Sequence, residues 1–179
     1  MLSPQSLSES DRRLVAGWAA DCAERVLPLF EAEAPEDDRA RDGIARARAF
    51  SRGELDAAGE IRRRFVAGRA AQSATSPAAK AAARAAAQAA GVAHMGAHAL
   101  GAAAYAAKAA ELAAPQQGAE IEVRWQVEYM SPPVRAALRT LPLLGEDSSG
   151  PLGPGLLATG VLGSTIRALQ AALSRSPTL

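Results

Sequence analysis

The stretch that decides the fold is residues 77–113, which read PAAKAAARAAAQAAGVAHMGAHALGAAAYAAKAAELA. Alanine has the highest intrinsic helix propensity, and over windows of this length its preference adds up to a strong signal. Ser76 can cap a helix start, and Pro77 fits the first helical position because no N–H is needed there. If unbroken, a helix that begins here could run to Ala113, which is about ten turns. Its small side chains let neighbouring helices approach closely, which places it at the centre of a bundle.

Helical spacing of apolar residues predicts further helices on both sides of this stretch. The first begins at a capping pair, Ser8 and Asp11, and Pro28 kinks or ends it. Its apolar face carries Leu14, Val15, Trp18, Cys22, Val26 and Leu29. Other helices are predicted over residues 39–50, 55–72 (with Ile61, Phe65 and Gly68 on one face), 121–131, 134–141 and 156–175. The fold class is therefore all-α, a single-domain bundle of about six to seven helices around a long central alanine-rich helix.

The composition changes at Gly145, where the sequence GEDSSGPLGPG (145–155) is rich in turn-forming residues. We therefore divide the chain into an all-α domain at 8–145, a Gly/Pro linker at 146–155 and a C-terminal amphipathic helix at 156–175. The apolar stripe of this last helix consists of Leu162, Ile166, Leu169 and Leu173. It could dock on the bundle or on another molecule, so self-association through this helix stays open. Whether the central helix is continuous across its three glycines, Gly91, Gly96 and Gly101, is also open.

The composition excludes several classes of protein. The 179 residues fit one domain, and 20 basic against 19 acidic residues give no overall basic field for nucleic acid. A single cysteine, Cys22, excludes an intramolecular disulfide and a cysteine-rich metal site. The longest uncharged run, 85–107, has too few large apolar residues to enter a membrane. The start of the chain lacks the features of a secretory signal, and arginine greatly outnumbers lysine, so we expect a cytoplasmic bacterial protein.

His94 and His98 are the strongest candidates for chemistry in the sequence. Four residues apart on a helix, their imidazoles would share one face and could bind a metal ion. A zinc hydrolase of the H-E-x-x-H type needs a glutamate after the first histidine, and residues 95–97 are Met-Gly-Ala. A third ligand would have to come from Asp21 or Cys22. A metal-binding enzyme or sensor is thus the alternative function, but we favour space-filling histidines and assign no catalytic, cofactor-binding or metal-binding residue.

A stripe of polar and small residues follows helical spacing through the same stretch. Its members are Gly91, His94, His98, Gly101, Tyr105 and Lys108. Such a stripe could line a recognition groove, but Tyr and His in a helical core also bond to backbone carbonyls at helix ends. Between these two interpretations we favour the structural one.

Arginines are concentrated in the second and third predicted helices. They are Arg46, Arg48, Arg52, Arg62, Arg63, Arg64 and Arg69. Carboxylates lie among them at Asp42, Glu54, Asp56 and Glu60, and no aromatic residues are interleaved for stacking on bases. The pattern therefore favours a solvated, salt-bridged face over a nucleic-acid interface.

Two segments together resemble a known family. They are DRRLVAGWAADCAERVLPLFEAEAPEDDRARDGIARARAFSRGEL at 11–55 and AAGVAHMGAHALGAAAYAAKAA at 89–110. Both are similar to the Imm-5-like family of immunity proteins, which are small all-α bacterial proteins, and the likeness spans residues 8–145. The positions that carry the motif are Trp18, Cys22, His94, His98 and Tyr105. The resemblance implies a protein that binds and neutralises a protein toxin in the cytoplasm of the producing cell, without catalysis.

Overall fold

The computed structural model describes residues 2–175, and within this range the chain forms helices and no strands, which confirms the all-α prediction. The α-helices are α1 Glu9–Glu31, α2 Arg39–Ser51, α3 Ala57–Arg63, α4 Pro77–Gly91, α5 His98–Ala113, α6 Gly118–Glu128, α7 Pro132–Arg139 and α8 Gly160–Ser174. Two 3₁₀ helices lie at Ala67–Ser73 and Leu156–Ala158. No helix among these residues is both long and apolar enough to cross a bilayer.

The central alanine-rich helix, whose continuity across its glycines the sequence left open, is not continuous, because residues 77–113 form the two helices α4 and α5. Gly91 lies against the His98 ring and Gly101 against the Gln88 side chain, so α4 and α5 run antiparallel as a hairpin. This division accounts for the eight α-helices within residues 2–175, where six to seven were predicted. Folding back lets the two alanine-rich helices pack against each other, and most of their alanines are buried.

Contacts distant in sequence hold the connection at 92–97 in its non-helical form. The backbone N–H of Gly96 donates to Ser6 O at 2.9 Å, and that of Ala97 donates to Gln5 O at 3.0 Å. A Cβ on Gly96 would overlap the Leu7 side chain. The N-terminal segment therefore approaches the backbone at position 96 more closely than a residue with a side chain would permit. The helix therefore breaks where another part of the chain takes its backbone donors.

The segment predicted as a linker, 146–155, lies against the same N-terminal residues. The side chain of Gln5 is fully buried; its amide donates to Asp147 O at 2.7 Å and its carbonyl accepts from Leu152 N at 2.8 Å. Leu152 is itself fully buried. Gln5 thus connects the chain start, the α4–α5 connection and the segment that leads to α8.

Helix α5 is the centre of the bundle, since every residue from 99 to 107 is buried and the helix packs against α1, α4, α6 and α8. Trp18 Nε1 donates to Gln126 O at 3.1 Å, and Gln126 Nε2 donates to Ala103 O at 2.9 Å, which joins α1, α6 and α5. The apolar stripe predicted for α8 is buried, and α8 packs on α5, α6 and α7.

The first helix follows its prediction closely but not completely. Ser8 caps α1 by accepting from Asp11 N at 3.1 Å. Helix α1 continues past Pro28 to Glu31, so this proline does not end it. Leu14 is exposed rather than buried, which removes it from the predicted apolar face.

The predicted helix at 55–72 is wrong. Helix α3 ends at Arg63, a turn follows, and residues 67–73 form a 3₁₀ helix. In a 3₁₀ helix residues three apart share a face, so Ala67 and Ala70 are both buried in the groove beside α4. The turn leaves Phe65 at the surface, although the helical pattern predicted that it shares a face with Ile61.

Candidate functional site

A cleft of about 640 Å³ opens at the corner where the α4–α5 hairpin meets the turn after α3. The turn and the 3₁₀ helix that follows it form one wall, and the end of α4 with the start of α5 forms the other. The lining residues are Arg64, Phe65, Gly68, Arg69, Gln72, Ala87, Gln88, Gly91, His94 and His98. Both histidines singled out by the sequence therefore lie in one concave surface, together with two arginines and two glutamines.

His98 is fixed in the cleft wall by Gln88. Its Nδ1 lies 2.8 Å from Gln88 Oε1, and because an amide oxygen only accepts, Nδ1–H is the donor and Nε2 keeps its lone pair in the neutral ring. A Cβ on Gly101 would overlap Gln88 Oε1, so this glycine makes room for the amide. Burial, with a smaller effect from His94, lowers the pKa of His98 to about 4. The ring is therefore neutral at pH 7.

His94 lies in the α4–α5 connection and is exposed, so the prediction that both histidines share one helical face is wrong. The two rings are nevertheless near each other, with centroids 6.4 Å apart and planes tilted by 35°. Partial desolvation and then the charges of Arg64 and Arg12 lower the pKa of His94. The positive charges near the cleft thus disfavour protonation of the His94 imidazole.

The two residues that the sequence offered as a third metal ligand do not line the cleft. Asp21 pairs with Arg48 at 2.6 Å, and Cys22 is fully buried in the core. Within the part of the chain that the structure describes, no three His, Cys, Asp or Glu side chains are grouped closely enough to hold a metal ion. The two histidines are therefore best described as part of the cleft wall.

Phe65 and Arg64 form the rim of the cleft. Phe65 is 63% exposed, and the Arg64 guanidinium lies 4.4 Å from the centroid of its ring. Arg64 also donates to Ile61 O at 2.8 Å, which holds the guanidinium over the ring. Sequence reasoning missed this role of Phe65, because only the turn after α3 brings its side chain to the surface.

The arginine cluster divides into two groups, so the predicted salt-bridged face is confirmed in part. Ion pairs join Arg46 to Glu60, Arg48 to Asp21 and Glu24, Arg52 to Glu54, and Arg63 to Asp42. Among residues 2–175 no carboxylate pairs with Arg62, Arg64 or Arg69. Two of these three unpaired arginines line the cleft.

The family model described as Imm-5 like putative immunity protein matches residues 5–133. The chain belongs to this family. The matched range of this Imm-5-like protein runs from the buried Gln5 to the second residue of α7 and includes every residue that lines the cleft. No curated protein and no solved structure matches the chain significantly. Membership in the Imm-5-like family gives the coarse function, that of an immunity protein.

The five motif positions of the Imm-5-like resemblance separate into core and cleft. Trp18, Cys22 and Tyr105 are buried, and burial raises the pKa of both the Cys22 thiol and the Tyr105 hydroxyl. A buried thiol of raised pKa is a small apolar group rather than a nucleophile. His94 and His98 are the two motif positions that a ligand in the cleft can reach. The cleft is therefore the candidate functional site.

Proposed function

We propose that this Imm-5-like protein binds a protein toxin and neutralises it in a stoichiometric complex, without catalysing a reaction. The observation that carries the proposal is the family match over residues 5–133. An immunity protein of this kind acts by covering a surface that its toxin needs, and an interface of standard size buries about 1,600 Å² in total. We place this activity in the cytoplasm of the bacterium that produces the toxin.

The geometry of the bundle supports recognition of a protein partner. The α4–α5 wall of the cleft rests on buried residues such as Ala86, Ala89 and Leu100, so this wall requires little ordering when a partner binds. Its walls offer guanidinium, imidazole and amide groups beside an exposed aromatic ring. Arginine and aromatic side chains are the residue types that dominate the energetics of protein interfaces.

The test is a competition experiment, which works whether or not the toxin has been identified. The gene is deleted in the strain that encodes it, and the deletion strain is grown in contact with its parent. We expect the parent to inhibit the deletion strain, and we expect a plasmid copy of the gene to restore growth. Equal growth of the two strains would contradict the proposal.

A second measurement identifies the partner and its stoichiometry. Tagged protein is used to capture its partner from the parent strain, and the captured protein is then produced alone in an unrelated host. The proposal predicts that this protein stops growth of the host and that co-production of the Imm-5-like protein restores it. A captured protein that is harmless to the host, or whose toxicity persists on co-production, would argue against neutralisation.

Self-association through α8 stays a prediction. The stripe that would carry it is Leu162, Ile166, Leu169 and Leu173, all of which are buried against the chain's own bundle. A dimer through this face therefore requires α8 to leave α5. Light scattering of the purified protein over a range of concentrations measures whether this occurs.

A further inference from the structure

Charges are segregated along this chain. Between residues 61 and 110 there are seven basic residues and no Asp or Glu. The basic residues are Arg62, Arg63, Arg64, Arg69, Lys80, Arg84 and Lys108. Because the whole chain has 20 basic and 19 acidic residues, the remainder carries net negative charge. Every residue that lines the cleft comes from this basic segment.

The cleft therefore has a cationic lining that the protein itself does not neutralise. Arg64 and Arg69 line it, neither pairs with a carboxylate among residues 2–175, and no lining residue is acidic. The remaining polar lining groups are two neutral amides and two imidazoles. A fixed positive surface of this kind favours an anionic partner and speeds its association.

The rim adds an apolar contact to this charge. Phe65 is more than half exposed, so its ring offers a large apolar surface beside the two arginines. Arg64 covers part of one face of the ring, so the two side chains are held together before any partner binds. The arrangement suits a segment in which an apolar side chain lies next to carboxylates.

Building on the proposed function, we propose that this cleft is the toxin-binding surface and that it receives an acidic segment of the toxin. In this arrangement carboxylates of the segment pair with Arg64 and Arg69, and an apolar side chain of the segment packs on Phe65. Arginine suits this role because its planar guanidinium binds a carboxylate with two parallel hydrogen bonds.

A protein segment fits these observations better than a nucleic acid. Single-stranded nucleic acid is bound on successive aromatic side chains along a basic groove. Phe65 is the one aromatic residue apart from the histidines in the cleft lining, and Arg64 lies over its ring. Bases would therefore find one partly covered stacking position, whereas carboxylates would find two arginines without partners.

The experiment returns variants of the protein to the deletion strain. One variant is the double substitution Arg64→Gln, Arg69→Gln, and a second is Phe65→Ala. The matched controls are Arg52→Gln, which changes an arginine outside the cleft, and Tyr129→Ala, which removes an aromatic ring that is 55% exposed at the end of α6. Circular dichroism melts establish that each variant is folded. We expect both cleft variants to lose protection by at least about tenfold, and both controls to protect like the original protein.

The outcomes separate the two proposals. If the original protein does not protect, the proposed function fails. If it protects and the folded cleft variants protect equally well, the proposed function stands and the assignment of the cleft is overturned. Loss of protection in the Tyr129→Ala control alone would place the interface on α6 and would likewise overturn the assignment of the cleft.

A binding measurement tests the chemical class of the partner. Fluorescence anisotropy is recorded with a short glutamate-rich peptide that contains one leucine, and with a single-stranded oligonucleotide of equal length, both at physiological ionic strength. We expect the peptide to bind and the double arginine variant to weaken it by at least about tenfold. Tighter binding of the oligonucleotide, or peptide binding that the double variant leaves unchanged, would overturn the proposal.

Discussion

The α1–α2 pair and the α4–α5 hairpin use arginine and apolar side chains in opposite ways. Between α1 and α2, large residues such as Phe30 and Phe50 fill the core, and arginines of α2 pair with carboxylates, as Arg48 does with Asp21 and Glu24. In the hairpin the core is made mostly of alanine, and its basic residues have no salt bridge to any of residues 2–175. The same is true of Arg64 and Arg69, which face the hairpin from the opposite wall of the cleft.

The difference concerns what each region can offer to another molecule. An arginine held by a carboxylate of its own chain is already neutralised, and a partner would have to break that pair. An arginine without such a pair, such as Arg64 or Arg69, can bind a carboxylate from outside. The arginines of the first region therefore stabilise the bundle, whereas those in the cleft beside the hairpin have no carboxylate partner among residues 2–175.

The largest expected effect concerns the alanine core of the hairpin. Leu100 is fully buried in α5 among alanines, which are too short to fill the space that its removal leaves. We expect Leu100→Ala to lower the free energy of unfolding by about 3–4 kcal/mol. Urea denaturation measures it. The control is Leu112→Ala at the exposed end of the same helix, for which we expect less than about 1 kcal/mol. Equal losses in the two variants would contradict the central position of α5.

The next effect is a dependence of stability on pH that arises at His98. In the folded protein its pKa is about 4, whereas an unfolded histidine titrates near 6.5. The neutral ring is thus favoured by folding, so its contribution is complete above pH 6.5 and is lost as the pH falls from 6.5 to 4. We expect a loss of about 2–3 kcal/mol over this range.

The measurement is urea denaturation at several pH values between 7 and 4, with His98→Gln for comparison. The variant should show a flatter profile over this range, because it lacks the titrating ring. Carboxylates whose pKa is lowered by arginine partners, such as those of Glu24 and Glu54, titrate in both proteins and so do not affect the difference. Profiles of equal slope would mean that His98 is not held neutral by burial.

A smaller effect separates the two groups of arginines. Glu60 is buried, and Arg46 reaches it with two hydrogen bonds of 3.1 and 2.5 Å. We expect Arg46→Met to lower the free energy of unfolding by about 2 kcal/mol, because the buried carboxylate is left without its cation. The matched variant Arg64→Met should change it by less than about 0.5 kcal/mol. Thermal or urea unfolding compares them, and a larger loss for Arg64 would reverse the assignment of roles.

The smallest effect is expected within the first region itself. Arg52 and Glu54 form a pair at 2.7 Å, and both side chains are more than half exposed. Because such pairs are screened by water and cost side-chain entropy, Arg52→Gln should leave the free energy of unfolding almost unchanged. Comparing the change in the free energy of unfolding for Arg52→Gln with that for Arg46→Met measures how much burial strengthens an ion pair of α2. Similar values for the two would show that burial of Glu60 has little influence.

Much of the bundle follows from local sequence, and the candidate site follows only in part. Ser8 and Ser76 cap the helices they were predicted to start, and α2 occupies nearly the predicted range. His94 and His98 could be singled out because polar groups are rare in an alanine-rich stretch. Phe65 could not, because helical spacing placed it on a face with Ile61, and the turn after α3 is not signalled by Pro or by a local cap.

The sequence by itself determined that this protein is helical, where several helices begin, and that its alanine-rich stretch lies at the centre of the bundle. These properties depend on propensity, capping and spacing, which act over a few residues. The tertiary structure decided that residues 77–113 fold back on themselves. Gln5 and Ser6 accept hydrogen bonds from Ala97 and Gly96, a contact across about ninety residues that no local pattern encodes. That reversal forms one wall of the cleft, and the turn after α3 with the 3₁₀ helix that carries Arg69 forms the other.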